Sequence, residues 1–247
     1  CNVSQTNVHR LVSNSGIKPL VTLLQVDSGE AQAQAAGVLT EIAKTSLALQ
    51  LQISADGAVE PLVVQLAKGA TVEAMAAAAE ALWALSSDNA EMQVSILNLE
   101  TLRLPPRRSY DGGSSSPGRV DDADEQGMTI HVVVTLLVRL LSQSNVNAQA
   151  MGAGAIMSLV VGNPESQVSV MRANGIPMLV ALLSEDHADN VHAHAMSALA
   201  ELARNHAPNQ TTIAAAGALQ PCIHLLQATA QPVAEAAAAA LCAFCGD

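Results

Sequence analysis

Five times along the chain a Leu-rich stretch closes, a few polar residues follow, and an Ala-rich stretch with apolar residues at helical spacing begins. Leu24, Leu66, Leu141, Leu183 and Leu226 mark the closing points, and their separations are 42, 75, 42 and 43 residues. The long interval is one unit plus an insertion of about 33 residues, after which the rhythm resumes. Repeats of this length are the mark of a solenoid, whose units bury their apolar faces only against their neighbours.

Within the Ala-rich stretches the larger apolar residues stand three apart: Leu39 and Ile42, Leu82 and Leu85, Ile156 and Leu159, Leu199 and Leu202, Leu241 and Phe244. That spacing puts each pair on one face of a helix. Each such helix follows a short Leu-rich one, and a further short segment stands ahead of that. Gly16, Gly57, Gly175 and Gly217 fall just past this first segment, where a left-handed residue closes a helix sharply. Pro19, Pro61, Pro177 and Pro221 then enter the first turn of the second helix, where a missing N–H does no harm. The run HVVVTLLVRLL, residues 131 to 141, is β-branched enough to suggest a strand, but its register is that of the second helix elsewhere, and it reads as helix. The expected units are residues 1–44, 45–86, 87–161 with the insertion at about 99–130, 162–204 and 205–247.

These units resemble the armadillo repeat family. The family pattern, roughly G-x-I-P-x-L-V-x-L-L followed by V-Q-x-x-A-x-x-A-L-x-N-L-A, is met by Gly175 to Leu183 with Val191 to Ala203, and by Gly57 to Leu66 with Ala76 to Ser86. The resemblance implies an all-α fold: a right-handed α-solenoid of about five armadillo repeats, three helices each, with one disordered insertion. It also implies that the third helices line a concave groove where an extended peptide lies, clamped by a ladder of Asn side chains. The Asn positions here are Glu41, Ala84, Ser158, Glu201 and Ala243. In importin-alpha-like members a Trp precedes each Asn by four residues; those positions here are Gly37, Glu80, Gly154, Ser197 and Ala239. Both ladders are absent, so the recognition of nuclear-localisation signals does not carry over. Trp83 stands one position from an Asn slot and is expected either at the groove edge or packed inside its own repeat.

Composition narrows the function. Half of the residues are hydrophobic, with one Trp, one Tyr and one Phe among them, so the core is extended and built of small side chains. No apolar run reaches the roughly 18 residues of a membrane helix, and no signal peptide opens the sequence; an intracellular, cytoplasmic or nuclear protein is expected. The formal net charge is −11. Four of the 11 basic and six of the 22 acidic residues lie between Glu100 and Gly127, which leaves −9 on the repeats. Such a surface repels nucleic acid and anionic membranes and attracts basic segments. Glu41, Glu80 and Glu201 fall on groove positions, so a protein or peptide partner with basic segments is expected; the alternative is a merely solvated acidic surface.

No catalytic motif survives inspection. There is no phosphate-binding loop, no H-E-x-x-H and no nucleophile elbow, and DGGSSSPG lies in the insertion with no strand and helix around it. Cys242 and Cys245 form a C-x-x-C, but no second pair completes a zinc site, and they are expected to pack as small apolar residues. His192 and His194 point to different sides of one helix and do not chelate together. No enzyme activity, cofactor or metal is expected. The reading is an interaction scaffold; the alternatives are the recognition segment of a larger ubiquitin ligase and, with less support, a nuclear-transport adaptor. The last helix is as apolar as the internal ones, so the sequence is expected to belong to a longer array. Within the insertion, LRLPPRRS is either a tether that visits the acidic groove or part of a passive linker.

Overall fold

The computed structural model describes residues 5–68, 71–99, 131–184 and 186–245. The insertion, its LRLPPRRS segment and Cys1 lie outside the described residues. Among those residues the chain forms fifteen α-helices and no strand, in five triplets. These are α1 (Gln5–Ser13), α2 (Ile17–Leu23) and α3 (Gly29–Ala43); α4 (Leu47–Ala55), α5 (Val59–Lys68) and α6 (Val72–Ser86); α7 (Ala90–Leu97), α8 (Val132–Leu141) and α9 (Val146–Val160). Next come α10 (Pro164–Arg172), α11 (Gly175–Ala181) and α12 (Asp189–Ala203), then α13 (Ala207–Ala215), α14 (Leu219–Leu225) and α15 (Gln231–Cys245). The β-branched run at 132–141 is the helix α8, because its Val and Leu residues are buried against the long helix that follows.

Polar residues start the helices. Ser28, Thr71 and Asn145 each accept the backbone N–H three residues on and so cap α3, α6 and α9. Ser46, Asn89 and Asn163 do the same for α4, α7 and α10. The long helices then pack side by side in chain order, α3 on α6, α6 on α9, α9 on α12 and α12 on α15. Alanine makes this possible. Ala36, Ala78, Ala79, Ala153, Ala155, Ala195 and Ala198 are fully buried, so successive long helices lie close against one another. In α9 eleven of fifteen residues are buried, whereas in α15, the last described helix, only Val233, Ala237 and Ala240 are. The pairs at three-residue spacing fill the core as expected in the first four units, each at 1% exposure or less. Leu241 and Phe244, on the last described helix, remain partly exposed.

The turn between the first two helices of a unit differs from the expectation at two of its four glycines. Gly57 and Gly217 do take the left-handed conformation, with φ of 85° and 82°. At the other two turns the left-handed residue is Ser15 (φ 57°) or Asn174 (φ 60°), one position earlier. Gly16 and Gly175 serve close approach instead: a Cβ on Gly16 would lie 2.8 Å from the Leu11 side chain, and one on Gly175 would lie 2.6 Å from Val170 Cγ1. The shared pattern is a left-handed residue, a Gly or Ala with no room beside it, and an aliphatic residue: Ser15-Gly16-Ile17, Gly57-Ala58-Val59, Asn174-Gly175-Ile176 and Gly217-Ala218-Leu219.

Candidate protein-binding face

The long helices present the residues that the armadillo resemblance singles out, but not as equivalent open slots. Ser158 is buried, with its hydroxyl 2.6 Å from that of Ser86. Ala84 is 6% exposed. Gly154 is also covered, since a Cβ there would lie 2.7 Å from Trp83 Cε3. Ser197 and Ala243 are half-buried, and the Ser197 hydroxyl donates to Ala193 O at 2.8 Å within its own helix. Gly37 is also half-buried, with open space at the Cβ position.

Trp83 resolves the two readings of its place. Its ring starts on α6, crosses Gly154 on α9 and meets His194 on α12 edge to face, the ring centroids 4.8 Å apart. It therefore packs across repeats rather than within its own, and stays partly exposed. The His194 imidazole is held below its usual pKa by burial. His192, two residues earlier, turns the other way. Its Nε2 lies 2.9 Å from Ser184 O, so it ties the loop before α12 to the helix. Gln32 and Gln149 do this in their units through bonds to Val26 O and Gln143 O. Among the described residues no group of His, Cys, Asp and Glu is placed to hold a metal ion.

The three acidic groove positions are not free carboxylates. Lys44 Nζ stands 3.3 Å from Glu41 Oε1 and 3.1 Å from Glu80 Oε1, bridging α3 and α6. Burial opposes the charge on Lys44, but the hydrogen bonds and charges of Glu80 and then Glu41 outweigh it and raise its pKa above the ordinary lysine value. Glu201 is held by Arg204 through two bonds of 2.9 and 3.1 Å. The expected acidic rim is thus partly neutralised by basic residues three positions on, at Lys44 and Arg204. The E-x-x-K and E-x-x-R spacings were the sequence signal for it.

A second ladder was invisible to hydrophobic patterning. Near the end of each long helix the carbonyl of the slot residue has no helical partner, as is general for the last turn. A Gln from the first helix of the same triplet supplies one. Gln50 Nε2 donates to Ala84 O at 2.9 Å, Gln93 to Ser158 O at 2.8 Å, Gln167 to Glu201 O at 2.8 Å, and Gln210 to Ala243 O at 3.2 Å. In the first triplet Thr45 Oγ1 bonds Glu41 O at 3.1 Å. The backbone of the row is therefore fixed at the slot positions.

Beside Trp83 the surface dips into a depression of about 550 Å³ between the end of α3, the start of α4 and α6. Ala43, Leu47 and Trp83 give it apolar walls, and Lys44, Glu80 and Asp88 line it as well. Among the described residues no cysteine lines it. Cys222 is buried, and burial pushes its thiol up to about 11. Cys242 and Cys245, on the last described helix, are exposed rather than packed as expected.

Comparison with known proteins agrees with this architecture. A family model, the SIL1/FES1/HPBP1 C-terminal domain, matches residues 127–242. Protein CELLULOSE SYNTHASE INTERACTIVE 3 of Arabidopsis thaliana is 26% identical over 238 residues, 89% of this chain. The chain spans only 11% of the length of that relative. Among solved structures, an engineered protein superposes with a TM-score of 0.75 at 26% identity, covering 94% of this chain and 82% of its own. A designed armadillo repeat protein in complex with the peptide (KR)4 gives 0.72 at 23% identity, covering 98% and 87%. No helix among the described residues is long and apolar enough to cross a membrane.

Proposed function

We propose that this armadillo repeat protein is a non-catalytic interaction scaffold that takes an extended or helical segment of a partner protein along its row of long helices. The observation that carries the reading is the depression beside Trp83. It joins an aromatic wall, an exposed Leu47 and carboxylates on a backbone fixed by the Gln ladder. A rigid surface of this kind binds a flexible segment without ordering itself first. A groove geometry built for peptides is supported by the neighbour solved with (KR)4. Interaction as the general task is supported by the name of the Arabidopsis thaliana relative.

The partner segment is proposed to be basic, because the repeats keep a net negative charge after every ion pair is counted. Nucleic acid is disfavoured on the same ground, and a cytoplasmic or nuclear setting suits such a scaffold. Clamping by an Asn ladder, as in a nuclear-transport adaptor, is the least supported mode: Ser158 is spent on Ser86, and Gly154 lies under Trp83. The recognition segment of a larger ubiquitin ligase is compatible with the same surface.

Trp83 is the one tryptophan of the chain, so its fluorescence reports on the site directly. Titration with basic, neutral and acidic octapeptides should give a saturable change with the basic set alone. A partner isolated by pull-down that binds wild type and Trp83→Ala equally would place the binding surface elsewhere.

A further inference from the structure

The depression beside Trp83 already contains a cation of the chain itself. The Lys44 side chain is half-exposed, yet its ammonium sits between Glu41, near the end of α3, and Glu80 on α6. Three features set this apart from an ordinary surface pair. The carboxylates outnumber the ammonium two to one, so the cluster stays negative. Asp88 lines the same depression and makes no ion pair among the described residues. Trp83 lines the depression with the cluster, and so does Leu47, which is 53% exposed. An exposed bridge contributes little to stability, so the fold does not need Lys44 where it stands.

We infer that this depression is a binding site for an arginine side chain of a partner protein, and that Lys44 is its internal occupant, displaced when the arginine enters. This rests on the peptide-binding reading of the same face. Arginine fits better than lysine for a geometric reason. A planar guanidinium stacks on an indole while forking to carboxylates, whereas an ammonium satisfies them only as a point charge. On entry, Lys44 swings into solvent and keeps Glu41, while the guanidinium takes Glu80 and Asp88. The exposed Leu47 then asks for an aliphatic residue next to the arginine. The consequence is a tunable site: neutralising Lys44, by substitution or acylation, removes the competitor and uncovers two carboxylates.

The test uses the whole chain and an N-acetylated octapeptide of alternating arginine and leucine. Its lysine counterpart serves for comparison, and Trp83 fluorescence is the readout. Lys44→Ala should tighten the arginine peptide about five- to tenfold at low salt, and the lysine peptide less. Glu80→Gln should weaken both by about tenfold, as expected when a charge-assisted bond is lost. Lys18→Ala, which removes one positive charge from an exposed position on α2, controls for net charge and should change affinity less than twofold. Equal gains in Lys44→Ala and Lys18→Ala would reduce the effect to bulk charge and overturn the inference. Unchanged or weaker binding in Lys44→Ala, with wild type still binding and Glu201→Lys abolishing it, would also overturn the inference but leave the peptide-binding face standing. If no peptide perturbs Trp83 in any variant, both readings fall together.

Discussion

Trp83 and His194 lie two long helices apart in the array, yet their rings touch edge to face at 4.8 Å between centroids. The indole bridges that distance because residue 154, on the helix between, is glycine. One side chain thus reaches from the second repeat across the third to the fourth. Several properties of the chain depend on this lane.

Gly154→Ala should close it. The added methyl would lie 2.7 to 3.0 Å from three atoms of the indole, so the ring must shift. Overpacking of this kind costs about 1–3 kcal/mol. Urea unfolding should show a loss in that range, and the emission of Trp83 should change as its contact with His194 breaks. An unaltered midpoint with unaltered emission would mean that the ring is not held against residue 154.

Acid should loosen the same contact. Burial places the His194 pKa below 6.5 in the folded state, so the unfolded chain takes up a proton first. The sign follows: this contribution is complete above pH about 6.5 and is lost as pH falls through the lower, folded value. Stability measured at pH 7.5 and pH 5 should therefore fall more steeply in wild type than in His194→Gln. Equal slopes would remove His194 from the acid response.

The sequence carried the helical plan because Leu39, Leu82, Leu159 and their partners recur with a period that only a helix satisfies. The triplets were legible from spacing alone. The site was less so, for reasons that particular residues make plain. From the sequence Trp83 has two places, the groove edge or the inside of its own repeat, but its position depends on Gly154, 71 residues on, and a missing side chain leaves no trace in a hydrophobic pattern. Glu41 and Glu201 read as groove charge in the sequence, but in the fold Lys44 and Arg204, three positions on, hold them. Gln50, Gln93, Gln167 and Gln210 do recur, at 43, 74 and 43 residues, but a polar residue on a short helix reads as solvent-facing until a carbonyl is seen behind it.

That ladder should matter to stability. Gln167→Ala leaves Glu201 O without its donor in a part-buried setting, which costs about 1–3 kcal/mol for an unsatisfied group. Gln210→Ala, in the last triplet, where the long helix is more open to water, should cost less than half as much. Chemical denaturation of the two variants makes the comparison. Equal losses would mean that the effect is one of side-chain packing and not of the orphan carbonyl.

The cysteines should divide by position. Cys222 is buried with its pKa near 11, so almost none of it is thiolate at pH 8, whereas Cys242 and Cys245 are open to solvent. Brief treatment with iodoacetamide, followed by site-resolved mass spectrometry, should label both exposed residues and leave Cys222 untouched until urea is added. Native labelling of Cys222 at a rate like that of Cys242 would show that the last triplet opens readily.

The insertion offers the broadest test, because it interrupts the third triplet without interrupting its packing. His131, at the start of α8, donates its backbone N–H to Ser169 Oγ at 3.0 Å, and its Nδ1 lies 3.0 Å from Leu97 O near the end of α7. The two ends of the connection are thus tied by the repeats themselves. Deleting Leu102 to Glu125 shortens the connection roughly fourfold, which lowers the closure cost by about 1 kcal/mol. Thermal unfolding should then be unchanged or slightly higher. If the LRLPPRRS segment competes in cis for the depression beside Trp83, the same deletion should also tighten binding of an arginine peptide. A change in affinity without a change in stability would make the segment a tether; no change in either would make it a passive linker. A fall in stability of more than about 2 kcal/mol, the scale of a buried apolar side chain, would mean that the inserted residues pack into the array and that the third unit is larger than its repeat.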